Sequence, residues 1–185
     1  MDPAKVAEAQ AELAAGEKEI KTTMLKWKAD WGAAQPHFAR AGTLFRAAGM
    51  LDSALSAWRR SADASLKLGN VKQAVITLEG CARELMAAPS PPAASRSQAS
   101  AFLAEAGGLL YEAGEPPRAA ELKLRAGKLI EGAEPDRAAA LYDEAAAFFD
   151  GDSVRGECAG VHAAAAAAAL PPARSLLVGL RCRAG

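Results

Sequence analysis

The side chains best suited to chemistry are few in this sequence and stand apart. Its two histidines, His37 and His162, are distant from each other, and neither falls in an HExxH or beside a second metal ligand. Cys81, Cys158 and Cys182 are odd in number and form no CxxC. Neither a thiolate metal site nor a disulfide framework is expected of them, and a reducing cytosolic compartment fits best. There is no GxSxG, GxGxxG or Walker A sequence. Gly127-Lys128 is followed by leucine and lacks the upstream glycine that a phosphate loop requires. Asp143 and Glu144 are adjacent, so on a helix their carboxylates diverge, which suits a solvated face better than paired acid and base. The sequence therefore predicts no enzyme, no metal and no cofactor.

Charge narrows the partners. Lysine and arginine number 22 and so do aspartate and glutamate, so no general basic field exists to drive binding to nucleic acid or to a membrane surface. Electrostatic contacts must come from local patches. One such patch is the segment from Lys21 to Trp31, where Met24, Leu25, Trp27 and Trp31 stand among Lys21, Lys26 and Lys28. In a loop, that mixture suits the boundary of a lipid bilayer, with tryptophan at headgroup level and lysine near anionic phosphates. It equally suits a hydrophobic cap in which Trp27 and Trp31 close a helical hairpin.

The elements that must carry these residues show themselves as a repeat. A polar residue followed by an alanine that opens an amphipathic run recurs at Ala54, Ala74, Ala99, Ala119 and Ala138, and counting 20 back and 20 on reaches Ala34 and Cys158. Successive spacings are 20, 20, 25, 20, 19 and 20 residues, and the one long interval holds the insertion Pro89-Ser90-Pro91-Pro92. Four residues after each anchor comes a bulky side chain: Phe38, Trp58, Leu78, Leu103 and Tyr142, with His162 weaker and Lys123 an exception. Seven or eight after it come small ones, such as Ala41-Gly42, Ala62, Ala82, Ala106-Gly107, Ala126-Gly127 and Ala145-Ala146. That spacing marks one helical face with a large knob and a small hole, which allows close helix approach. Gly49, Gly69, Gly114 and Gly132 are placed to cap helix C-termini, and Pro116, Pro117 and Pro135 to open the next helices. A first helix is predicted over residues 3 to 26, followed by seven anchored ones. The fold expected is an all-α, tetratricopeptide-like solenoid of antiparallel helical hairpins, a twisted helical sheet with a period near 40 residues.

At 185 residues the chain suits one repeat domain, expected over 1–158. Residues 159–185 read as an alanine-rich then proline- and arginine-containing tail. The N-terminus lacks the apolar core of a signal peptide, and Val161 to Leu170 is too short to span a bilayer, so a soluble protein is expected.

Particular strings on this frame resemble a known family. Lys21-Thr22 with Leu25-Lys26-Trp27-Lys28 and Asp30, then Ala126-Gly127-Lys128-Leu129-Ile130-Glu131 with Pro135, Asp136, Ala138, Leu141 and Tyr142, closely resemble the gamma-type soluble NSF attachment proteins. The match runs from about residue 5 to about residue 158. The resemblance implies an adaptor that lies along a SNARE four-helix bundle and brings in the hexameric ATPase NSF to take the bundle apart, working in the cytoplasm and peripherally on endomembranes. It implies that the loop after the first helix touches the membrane, which singles out Met24, Leu25, Lys26, Trp27, Lys28 and Trp31. Members of the family are longer and end in an acidic, leucine-bearing segment that engages NSF. Nothing like it follows Asp152 here, and the expectation is of a C-terminally truncated form in which coupling to NSF is in question.

SNARE bundles are acidic, so basic side chains on a concave helical face are the physical candidates to meet one. Arg59, Arg60 and Lys67 on one helix and Lys123, Arg125 and Lys128 on a later one are those candidates. Lys123 stands where a bulky knob is expected and must carry its charge out of the core. The alternative is a general tetratricopeptide-like interaction scaffold, on which these cations are an ordinary solvated face.

Overall fold

A computed structural model describes residues 2–22 and 27–150, except for the side chains of Phe149 and Asp150. Among the described residues there are seven α-helices and no strand: α1 Pro3–Ile20, α2 Trp31–Ala47, α3 Leu51–Lys67, α4 Val71–Leu85, α5 Ala93–Glu112, α6 Pro116–Ile130 and α7 Pro135–Asp150. The anchor at Cys158, His162, Cys182 and the tail 159–185 lie outside them. The chain divides into two compact units, Met1–Cys81 and Ala82–Gly185, with the boundary inside α4. In the first unit α1 packs on α2 and α2 on α3, and in the second α5 packs on α6 and α6 on α7. This arrangement of short-looped antiparallel neighbours is the all-α, tetratricopeptide-like repeat that the spacing predicts.

Each described anchor is buried: Ala34, Ala54, Ala74, Ala99, Ala119 and Ala138 are at most 2% exposed. Five of these helices begin three residues before their anchor, at Trp31, Leu51, Val71, Pro116 and Pro135, whereas α5 begins six before, at Ala93. The extra residues of the long interval therefore go partly into one more turn of helix and partly into the loop from Met86 to Pro92.

The hole left by the small residues is filled by the knob of the next helix. A methyl group added at Gly42 would lie 2.4 Å from the Trp58 indole, and one at Gly127 would lie 2.6 Å from the Tyr142 ring. Gly107 meets the stem of Lys123 and the backbone of Ala119 in the same way, and Gly16 of α1 takes the edge of Phe38. Contacts this close are open only to glycine, because any Cβ would push an aromatic ring off its rotamer. Polar links reinforce α1 on α2: His37 Nδ1 is 2.7 Å from Glu12 Oε2, and Arg40 pairs with Glu8 and Glu12.

Helix ends follow the cap chemistry with two differences. Gly49, Gly69 and Gly114 adopt φ of +80°, +74° and +80°, and the next N–H returns to a carbonyl five residues back, as in Met50 to Phe45 at 2.9 Å. Gly132 is not in the left-handed region. There the N–H groups of Ala133 and Glu134 both donate to the Ile130 carbonyl, at 2.9 and 2.7 Å, and the turn closes without a left-handed residue. The first helix ends at Ile20 and not at residue 26. Lys21 is already extended, and the Asp30 N–H donates to the Glu19 carbonyl at 2.9 Å, so the returning loop satisfies a C-terminal carbonyl that another helical turn would have taken. Asp30 then caps α2 by accepting from the Ala33 N–H at 2.9 Å.

Candidate functional site

The C-terminal end of α1, the N-terminal half of α2 and the C-terminal half of α3 meet at a pocket of about 490 Å³ in the first unit. Ile20, the last residue of α1, and Trp31, the first of α2, form part of the wall, and Phe38 lies two turns further along the same face of α2. Helical spacing brings in the opposite side, since Arg60, Asp63 and Lys67 stand at i, i+3 and i+7 of α3 with Leu66 beside them.

Arg60 is the pivot of this arrangement. Its guanidinium lies 4.4 Å from the Phe38 ring centre, close enough for cation–π attraction, and Nη1 donates to Glu17 Oε1 at 2.6 Å. That hydrogen bond, with the charge behind it, holds the Glu17 carboxyl below the usual carboxylate range. Asp63 faces Arg59 at 3.4 Å. Lys67 lines the pocket from the last turn of α3, where the helix dipole favours a cation, and it has no ion pair among the described residues.

The two tryptophans of the preceding loop part company. Trp27 is 88% exposed, and Lys28 beside it is exposed too. Trp31 is half-buried, packed with Leu13 and Ile20 against Ala34, Phe38 and Ala64. Met24, Leu25 and Lys26 lie outside the described residues. Of the basic candidates in this unit, Arg60 and Lys67 share the pocket with Trp31, while Arg59 does not line it and pairs with Asp63, which does.

The second unit treats its candidates differently. Lys123 is 9% exposed, its stem lying over Gly107 and its ammonium paired with Glu144 of α7, 5.9 Å from the Phe148 ring centre. Arg125 and Lys128 are exposed and form with Glu121 a solvent-facing stripe at i, i+4 and i+7 of α6. Tyr142, 1% exposed, donates its hydroxyl to Glu131 Oε2 at 2.9 Å; burial first, and that carboxylate second, push the phenol above its ordinary value. Tyr111 of α5 stacks on Phe148 of α7 with ring centres 4.0 Å apart.

Sequence reasoning missed the pocket itself. Ile20, Glu17 and Leu66 carry no motif, and Phe38 reads as core alone. The spacing of Arg60, Asp63 and Lys67 was the available signal for a charged edge, yet nothing local to α3 says that Ile20 and Trp31 face it.

The sequence model of the family described as soluble NSF attachment protein, SNAP, matches residues 7–171. Among solved structures, the chain is similar to BtubC (BKLC) from P. vanneervenii at 14% identity, covering 96% of this chain and 70% of that one with a TM-score of 0.45. No curated protein matches it. No helix among the described residues is long and apolar enough to cross a membrane. The family match takes in every described helix, from within α1 through α7 and on to residue 171, and on that match the chain belongs to the soluble NSF attachment protein family.

Proposed function

We propose that this chain is a gamma-type adaptor of vesicular transport, which binds an assembled, syntaxin-containing SNARE bundle and recruits NSF for its disassembly after membrane fusion. The observation that carries the reading is the family match over residues 7–171. It is an adaptor and not an enzyme, and it works peripherally on endomembranes. Trp27 supports the membrane side of the reading, because an indole 88% exposed beside Lys28 has the character of an interfacial anchor. Lys128 and Arg125 support the SNARE side, since they extend from α6 into solvent where an acidic helix bundle can reach them. Lys123 contributes less, its charge being already committed to Glu144.

Pull-down with an assembled SNARE complex tests this. The native chain is expected to be retained on the bundle, and the double variant Arg125→Glu, Lys128→Glu to be lost from it. Adding NSF with a non-hydrolysable nucleotide should then give a ternary complex. Failure of the native chain to hold the bundle leaves only the tetratricopeptide-like scaffold reading.

A further inference from the structure

The pocket beside the tryptophan loop combines two chemistries. Ile20, Trp31, Phe38 and Leu66 give it an apolar side, while Arg60, whose charge is partnered by Glu17 at 2.6 Å, and Lys67 stand with Asp63, which already faces Arg59 at 3.4 Å, on the other. At about 490 Å³ it falls within the roughly 300 to 1,000 Å³ typical of small-ligand pockets. Arg60 gives Nη1 to Glu17, leaving other guanidinium donors, and Lys67 has no ion pair among the described residues. An amphiphile with an anionic head matches both sides.

The surroundings say where it comes from. Trp27 and Lys28 precede Trp31 by four and three residues, so the exposed indole lies within about 14 Å of chain from the pocket wall. A tryptophan held at headgroup level brings the pocket to the same layer. We infer that the pocket seats one anionic phospholipid of the membrane surface, with its phosphate at Lys67 and Arg60 and the head of an acyl chain against Ile20, Phe38 and Leu66. The inference rests on the reading of the Trp27 loop as the membrane contact. It also takes Arg60 and Lys67 out of the set of cations that meet the SNARE bundle.

Vesicle co-sedimentation of the full chain separates the two ideas, using phosphatidylcholine with and without phosphatidylserine. Phosphatidylserine should raise binding of the native chain. Lys67→Gln should lower that gain about fivefold, the effect of one basic charge at an anionic surface, and Ile20→Trp, which fills the pocket, should remove it. Neither should weaken binding to neutral vesicles, and Lys72→Gln, the same charge loss on α4, should change little. Trp27→Ser should weaken binding to both vesicle types. Unchanged binding by Trp27→Ser sinks the loop reading alone. No gain from phosphatidylserine, an equal loss with Lys72→Gln, or an unaffected Ile20→Trp overturns the pocket.

A second measurement guards against a misfolded variant. Dihexanoyl phosphatidylserine, titrated below its micelle concentration into the Trp27→Ser chain, should shift the emission of Trp31, and Lys67→Gln should move the midpoint of the shift to about fivefold higher lipid. Absence of any shift overturns the assignment. So does a fall in SNARE pull-down for Lys67→Gln as large as its loss of lipid, because an acidic helix would then be the occupant.

Discussion

The two units use one register and fill it with different side chains. In the first, the knobs that close on glycine are aromatic rings with no charged or hydroxyl tip: Phe38 on Gly16 and Trp58 on Gly42. In the second they are amphipathic, Lys123 on Gly107 and Tyr142 on Gly127, and each ends in a polar atom that finds a carboxylate on the rim, Glu144 or Glu131. The stem or ring supplies the packing in both cases. What differs is that the tips of the second unit's knobs are held by two carboxylates and those of the first unit's knobs are not. A knob position thus constrains volume and leaves polarity open, provided that the tip reaches a partner.

The comparison predicts its largest effect where a knob is removed outright. Phe38→Ala should destabilise the first unit by about 3–5 kcal/mol, the usual cost of deleting a buried aromatic ring, read by urea unfolding. All three tryptophans, at 27, 31 and 58, are in that unit, so their fluorescence follows it. A loss below about 1 kcal/mol would mean that Phe38 is not the wedge its contact with Gly16 describes. Filling the holes should cost somewhat less and act in both units. Gly42→Ala and Gly127→Ala should each cost about 1–3 kcal/mol, from overpacking against Trp58 and Tyr142, although alanine is the better helix former by about 1 kcal/mol. If either variant is stabilised, the ring has room to move and the register is looser than 2.4 and 2.6 Å imply.

The carboxylate dependence can be broken at Lys123. Glu144→Ala should cost about 1–3 kcal/mol by leaving a nearly buried ammonium without its partner, and adding Lys123→Met should recover most of that loss. A double variant as unstable as the single one would show that Glu144 acts on something other than Lys123. The same exchange has no counterpart at Trp58.

Much of the first-order architecture was legible in the sequence, because a repeat writes the same physical demand several times. One alanine at a helix crossing is ordinary, but six in near-constant spacing, each followed by a knob and a hole, leave few folds that satisfy all of them. The three left-handed caps were legible for the same reason. Gly132 was not, since a glycine at the right place does not oblige the chain to use its freedom, and two N–H groups shared on the Ile130 carbonyl did the work instead. The end of α1 was misread because Lys21 to Lys26 has nothing to forbid helix, and the deciding bond comes from Asp30, beyond the segment itself. The pocket was illegible for a related reason: its walls come from three helices, and its apolar side is made of residues that any helix could spend on its core. Lys123 was the instructive exception, because its type already required a partner and only the fold could name Glu144.

The smallest predicted effect lies at Tyr142. Its pKa is raised in the folded state above the ordinary 10.0, mainly because burial penalises the phenolate and secondly because Glu131 accepts its proton. A group whose folded pKa is raised contributes stability that is complete below the unfolded value. That stability is lost as pH rises from about 10 towards the folded value, because the unfolded chain gives up the proton first. Tyr142→Phe should cost about 0.5–1.5 kcal/mol near neutral pH, the net value of the hydrogen bond to Glu131, while keeping the ring over Gly127. Between native and variant, the stability difference should shrink and then reverse as pH climbs past 10, since phenylalanine has no proton to lose. Trp58 in the first unit offers the matching control, because its indole does not titrate. A stability difference that stays constant through that pH range would mean that Tyr142 ionises as freely in the fold as outside it, and the amphipathic knob would then owe nothing to its burial.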